Sequence, residues 1–417
     1  MSVFRFDDDD HPALQDPTFD DELASGPGNT IAHLRLTDSN PPSGYNSDAD
    51  EAKPSQDKDK EYEVKLDENF VSSKAQEAKG NKKVGPEDFQ PLKVIGKGAF
   101  GTVTLVRHKA SNSLYAMKVL KKASLVLHLK EAENTKAERQ ILEDVSHPFI
   151  VKLFYAFQTK DKLHMILEYA SGGELFTHLA AERMFSEEVA SFYAAELVLA
   201  LEHLHSLGII YRDLKPENCL LDVEGHVVLT DFGLSKVSVD EKTNTVCGTV
   251  EYMAPEVLME MHYDQTVDWW SLGVLMFDML TGQPPFGGNN RKKTMENILK
   301  KKVNMPYYIT PDAKDILNRL LRKNPNVRLG GGDKGVSAIK KHRFFRKIDW
   351  QALERRELEP PIIPIIIDPA AAENFDVSFT GMPLSETPPT GSGSLGQSYE
   401  NLFRGFSYTA PAMLDTI

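Results

Sequence analysis

Apolar residues along this chain change their spacing at two places, Phe89 and Leu175, and those two changes limit the fold more tightly than any single motif. From Phe89 onward, short apolar runs (Leu92, Val94 and Ile95; Val103, Leu105 and Val106; Tyr115, Met117 and Val119) are separated by glycines and polar turns, which predicts three short strands. Residues 131–145 follow with Ala137, Ile141, Leu142 and Val145 at helical spacing, and His147-Pro148 closes that pattern, so a helix is expected after the third strand. Beyond Leu175 the runs lengthen. Residues 186–207 are apolar on most faces and predict a buried central helix, and 266–280 and 311–321 read as further helices. The inferred architecture is α+β and bilobal, a small β-rich lobe followed by a larger helical lobe.

The flanks differ in kind. Residues 1–88 mix Asp, Ser, Pro, Gly and Lys with too few apolar side chains to offset the entropy of ordering, so they are expected to form a disordered acidic arm. Eleven acidic residues against Arg5 and Arg35 in the first 50 positions account for nine of the chain's thirteen net negative charges. That balance argues against nonspecific nucleic-acid binding. Residues 346–417 turn to Pro, Ser, Gly and Thr and read as an extended tail, which closes on the aromatic cluster Phe403 to Tyr408, a pattern that suggests docking. No apolar run is long enough for membrane insertion, and the start lacks the features of a secretory signal, so the protein is expected inside the cell, in the cytoplasm and secondarily the nucleus. Cys219 and Cys247 are too few for a disulfide framework and are expected as free thiols.

Chemistry enters at Gly96-Lys97-Gly98-Ala99-Phe100-Gly101, followed by Val103, between two strand patterns. Glycines there let backbone N–H groups approach phosphate oxygens. A plain turn fits equally well, whereas a dinucleotide-binding loop would lead into a helix rather than a strand. Ala116 and Lys118 sit in the third strand, and Glu138 on the following helix can pair with the Lys118 ammonium.

Tyr211-Arg212-Asp213-Leu214-Lys215-Pro216-Glu217-Asn218, then Asp231-Phe232-Gly233 and Ala254-Pro255-Glu256, resemble the protein-kinase signatures in kind and in order. The resemblance covers residues 89–345 as a kinase domain. It implies that Asp213 orients the substrate hydroxyl and accepts its proton, that Asn218 and Asp231 hold Mg²⁺, and that Lys118 and Lys215 neutralise the phosphates of ATP. Lys215 implies serine/threonine specificity, and Tyr211, standing where many kinases have histidine, is typical of the AGC group. Leu167, Glu168 and Ala170 resemble the hinge that binds adenine, with Leu167 as gatekeeper, and Glu174 the group that reaches the ribose. By the same resemblance Glu174 and Glu217 face arginines of basic protein substrates. Glu256 with Arg328, and Asp268, resemble scaffold residues.

The tail resembles that of AGC kinases: Phe403-Arg404-Gly405-Phe406-Ser407-Tyr408 matches their hydrophobic motif, which implies docking of Phe403 and Phe406 beside the Glu138 helix and phosphorylation of Ser407. Thr245 matches the activation-loop phosphosite, with Arg212 as its partner, and Thr387 resembles the turn-motif site. Within the group the chain is most similar to the ribosomal S-six kinases of the p70 type, through Leu167-Glu168-Tyr169-Ala170-Ser171-Gly172-Gly173-Glu174 and Asn289-Asn290-Arg291-Lys292-Lys293-Thr294 among others. The Akt family shares many of these motifs, but a pleckstrin-homology module has no room before Phe89. The resemblance implies a monomer with a ribosomal protein among its substrates. Upstream it implies phosphoinositide-dependent-kinase-like and TOR-complex kinases, with Phe6-Asp7 resembling a partial TOR-docking signal. A nucleotide-binding scaffold is the alternative from another class.

Overall fold

The computed structural model describes residues 84–98, 101–237, 249–332, 334–384 and 401–413. Residues 1–83, Ala99, Phe100, Thr245, Cys247 and Thr387 therefore lie outside the described residues.

The small lobe holds β1 (Phe89–Lys97), β2 (Gly101–His108), β3 (Leu114–Lys121), α1 (Lys122–Leu127), α2 (Leu129–Asp144), β4 (Leu153–Gln158) and β5 (Lys162–Leu167). The three expected strands and the helix after them are present, with α1 an added turn that the sequence did not signal. The sheet order is β1-β2-β3-β5-β4, every pair antiparallel. Strand alternation sends Leu120, Leu163 and Met165 toward α2, where Leu142 packs, and sends Phe89, Val106, Tyr115, Tyr155, Phe157 and Ile166 into an aromatic cluster on the other face. Val84 joins that cluster, and Pro86–Asp88 form a 3₁₀ turn closed by the Gly85 amide on Asp88 Oδ2 at 2.9 Å. Residues 84–88 of the segment expected to be an arm are thus structured.

The large lobe follows in chain order as β6 (Gly173–Glu174), α3 (Leu175–Glu182), α4 (Glu187–Ser206), β7 (Ile209–Ile210), β8 (Cys219–Leu221), β9 (Val227–Leu229), β10 (Lys236–Val237), α5 (Pro255–Leu258), α6 (Thr266–Thr281), α7 (Arg291–Lys300), α8 (Pro311–Leu320) and α9 (Gly335–Lys340). Ser186 caps α4 by accepting from the Val189 amide, and Glu187 and Glu188 complement the positive end of its dipole. Thr310 and Pro311 start α8 in the same way, and α6 stops at Gly282, whose φ of 78° suits glycine. Helices α4 and α6 pack on each other with Tyr193, Trp269 and Trp270 fully buried. Truncating such an aromatic side chain costs about 3–5 kcal/mol, so this pair anchors the lobe.

The tail carries α10 (Trp350–Glu354), α11 (Val377–Thr380) and β11 (Tyr408–Thr409), and its described residues are docked at several points. Asn374 donates to the Ser171 carbonyl at 3.1 Å, Lys93 to the Ala371 carbonyl at 2.8 Å, and β11 pairs antiparallel with β4 as a sixth strand of the sheet.

Candidate active site

The cleft between the strand-rich and helical parts gathers most of the polar residues singled out above. On β3, Lys118 lies opposite Val103 of β2 and Met165 of β5. Its Nζ donates to Glu138 Oε1 at 2.7 Å and to Asp231 Oδ1 at 3.1 Å. Burial alone would lower the Lys118 pKa, but the carboxylates of Asp231 and Glu138 outweigh it and hold the ammonium above its ordinary value. Lys118 in turn holds the Asp231 carboxyl below its usual range.

Of the phosphate-loop glycines, Gly101 has a reason to be glycine that the sequence did not reveal. A Cβ there would sit 2.1 Å from the Val119 carbonyl oxygen, so β2 could not lie against β3. At Gly98 a Cβ would meet nothing within 4 Å. Open space at Gly98 is what close approach of a ligand to the backbone requires.

On the loop after β7, Asp213 is 5 % exposed. Its Oδ2 accepts from Lys215 Nζ at 2.8 Å and from Asn218 Nδ2 at 3.0 Å, while Oδ1 is buried with no hydrogen-bond partner among the described residues. An unpaired buried carboxylate oxygen is costly, and burial pushes the Asp213 carboxyl up. A donor hydroxyl placed there would relieve it. The loop is held from behind by Asp268, fully buried, which accepts from the Tyr211 and Arg212 amides at 3.0 and 2.8 Å and contacts His205 Nε2 at 2.7 Å. Tyr211 packs edge-on against Phe232 and donates its hydroxyl to the Thr230 carbonyl, so the position is apolar at its ring and hydrogen-bonded at its tip. Arg212 donates to the Leu234 carbonyl at 2.6 Å and the Tyr263 hydroxyl at 3.2 Å. The buried Glu256–Arg328 pair closes at 2.5 and 2.8 Å.

Among the described residues no cluster of three or more His, Cys, Asp and Glu side chains could hold a metal ion by itself. Asp231 and Asn218 supply hard oxygen donors, and Mg²⁺ is commonly held by one or two protein oxygens together with substrate phosphates and water. The donor set therefore fits Mg²⁺ bound with a nucleotide. Ala116 lies opposite Leu167 in the sheet, and the Glu168 amide is committed to the Lys152 carbonyl at 2.9 Å. The Glu168 carbonyl and the Ala170 amide remain for a ligand's edge.

An acidic pocket adjoins the loop. Burial, then the charges of Glu217 and Asp376, push the Glu174 carboxyl up to about 7. Glu217 Oε2 is buried without a partner. Asp278 on α6, not singled out from sequence, joins them: burial together with Glu217 pushes it up to about 6, although the Tyr252 hydroxyl donates to it at 2.8 Å. The signal that would have found it is a lone acid inside the apolar run from Val274 to Met279. Repelling carboxylates held together this way are suited to receiving a cation.

The tail motif lies in a groove against α2 and β4. Phe403 and Phe406 are 1 % and 2 % exposed. Gln158 Nε2 donates to the Phe403 carbonyl at 2.8 Å, and Arg139, also missed from sequence, donates through Nε to the Phe406 carbonyl at 3.1 Å. Ser407 is exposed.

The protein kinase domain family profile matches residues 89–345, and the protein kinase C terminal domain profile matches 366–408. "Ribosomal protein S6 kinase beta" of Caenorhabditis elegans is 52% identical over 340 residues, 80% of this chain and 62% of that protein. "Ribosomal protein S6 kinase alpha-3" of Homo sapiens is 52% identical over 354 residues, covering 84% and 47%. "Ribosomal protein S6 kinase 2 alpha" of Gallus gallus is 52% identical over 343 residues, covering 81% and 45%. The chain thus spans between under half and three-fifths of the length of these curated relatives.

Proposed function

The chain belongs to the protein kinase family, and from that premise we propose that it transfers the γ-phosphoryl group of ATP to serine or threonine in basic protein segments. The observation that carries the reading is the buried Asp213 Oδ1, which has no partner among the described residues while Lys215 and Asn218 both engage the other oxygen of the same carboxylate. A substrate hydroxyl donating to that oxygen would be aligned for attack and would pass its proton to it as the P–O bond forms. Lys215, already 2.8 Å from the same carboxylate, can stabilise charge on the transferring group, and Lys118 can hold the α- and β-phosphates without leaving Glu138. Mg²⁺ held by Asp231 and Asn218 would supply the remaining charge neutralisation.

The acidic pocket supports this substrate class, since Glu174 and Glu217 gain a partner when an arginine enters and the Asp278 charge adds to the attraction. The family resemblance adds a ribosomal protein as substrate, phosphorylation of Thr245, Thr387 and Ser407, and activation by TOR-complex and phosphoinositide-dependent-type kinases. Supporting the last is the seating of the Ser407 motif against α2, which carries Glu138. The test is incorporation of phosphate into an Arg-rich serine peptide with Mg²⁺-ATP, using protein phosphorylated at Thr245. Turnover by wild type and near-silence of Asp213→Asn are expected, whereas equal rates would reject the reading.

A further inference from the structure

Helix α7 opens on Arg291, Lys292 and Lys293 and is followed closely by Lys300, Lys301 and Lys302, so twelve residues carry six cations against the single carboxylate of Glu296. This lies in a chain whose net charge is −13. Stability does not account for the arrangement. Three cations occupy the first turn of the helix, where its dipole favours anions, and no acid accompanies them there. Glu296 takes Lys293 at 2.9 Å and Lys300 at 3.5 Å. Among the described residues, the side chains of Arg291, Lys292, Lys301 and Lys302 have no ion-pair or hydrogen-bond partner. Just beyond them Tyr307 stands 94% exposed, edge-on to Tyr308 at 5.6 Å. Exposed tyrosine and unpaired arginine are residue types enriched at binding surfaces, and the lysines around Arg291 add a field of one sign.

The position of the patch narrows its partner. Helix α7 packs against the Val250–Tyr252 turn and α5. Tyr252 in that turn donates to Asp278 of the acidic pocket. One element thus separates the basic face from the groove in which a protein substrate would lie. We propose that this face docks an acidic run of a protein substrate, at a distance from the phosphoacceptor, a proposal that rests on the kinase reading above. The enzyme would then select substrates of mixed polarity, basic beside the target hydroxyl and acidic farther along. Ten helical residues span about 15 Å, the reach of about five extended residues, which sets the length of acidic run that fits. An extended anionic surface such as a membrane or RNA would meet the net negative charge of the whole chain. A short peptide is attracted locally, within a screening length of about 10 Å at 0.1 M salt.

The test compares an Arg-rich serine peptide with the same peptide joined through a Gly-Ser spacer, at either end, to a run of glutamates. Wild-type protein should show a KM about tenfold lower for at least one extended peptide, an advantage that shrinks as salt is raised. Lys292→Glu, Lys301→Glu and Lys302→Glu together should abolish the advantage, with kcat and the KM of the short peptide unchanged. Equal KM values for short and extended peptides in wild type, or an advantage that survives charge reversal, would overturn the proposal. Fluorescence anisotropy of a labelled glutamate-rich peptide lacking Ser, Thr and Tyr reads docking without catalysis. Failure to phosphorylate any peptide would count against the kinase reading alone, and failure of the labelled peptide to bind wild type would count against docking alone. Loss of binding to phosphatidylserine vesicles on charge reversal, with peptide binding intact, would assign the face to lipid and overturn the proposal as well.

Discussion

Glu138 and Arg139 are consecutive on α2 and are bonded to two different parts of the molecule: Glu138 accepts from Lys118 in the cleft at 2.7 Å, and Arg139 donates to the Phe406 carbonyl of the tail at 3.1 Å. The helix cannot shift to release one contact without straining the other. Tail docking and lysine position are therefore joined by a rigid element, the physical form that coupling between distant sites requires.

Emptying the groove should lower activity without touching the nucleotide. Phe406→Ala removes a ring that is 2 % exposed, a truncation that costs about 3–5 kcal/mol of local packing. Initial rates with Ser/Thr peptide should fall about tenfold or more, while the affinity for ATP measured by nucleotide displacement changes little. Unchanged rates would take the tail out of the mechanism.

Asp213→Asn keeps the shape of the loop and removes the proton acceptor. We expect kcat to fall by about 10²–10⁴ with ATP binding retained, read in a peptide assay beside a binding titration.

The two phosphate-loop glycines should separate stability from binding. Gly101→Ala places a Cβ 2.1 Å from the Val119 carbonyl and should lower Tm markedly. Gly98→Ala meets nothing within 4 Å and should leave Tm alone while raising the KM for ATP. A lowered Tm for Gly98→Ala would mean that its openness has no bearing on ligand approach.

Recognition of arginine should weaken in acid. Glu174 and Asp278 lose their charge as pH falls through about 7 and about 6, so the KM of an Arg-rich peptide should rise over that window. Both carboxyls bind protons more tightly folded than unfolded, so their contribution to stability grows as pH falls from near 7 toward the ordinary carboxylate range of about 4. KM profiles of wild type and Glu174→Gln should differ in slope between those values, and identical slopes would exclude Glu174 from substrate binding.

Breaking the Glu256–Arg328 pair leaves a buried charge without its partner. Arg328→Met should destabilise the large lobe by about 3–5 kcal/mol in denaturant unfolding, and pairing it with Glu256→Leu should restore part of that loss.

The readable parts of this chain were those fixed by local rules. The helices over 186–207, 266–280 and 311–321 were legible from their apolar runs, and the structure shows Ser186, Thr310 with Pro311, and Gly282 at their ends as local caps. Lys118, Glu138, Asp213, Asn218 and Asp231 were legible through the spacing of their motifs, and each of the five shares a hydrogen bond directly with another member. What escaped depends on long-range contacts. Asp278 reads as one acid in an apolar helix until Tyr252 and Glu217 are placed beside it. The tail reads as a proline-rich extension, yet Pro364 fills the space that a side chain on Gly172 would need, and Asn374 ties it to Ser171. A two-residue strand such as β11 has no periodicity to detect.

Because Tyr408 pairs with Ala156 across about 250 residues of chain, the border of β4 has no partner strand until all of those residues have been synthesised. An open strand border on a growing chain invites association with other chains. Translation of this protein thus passes through a long interval in which the small lobe is vulnerable to aggregation and suited to chaperone capture, and that interval ends only when Tyr408 and Thr409 have left the ribosome.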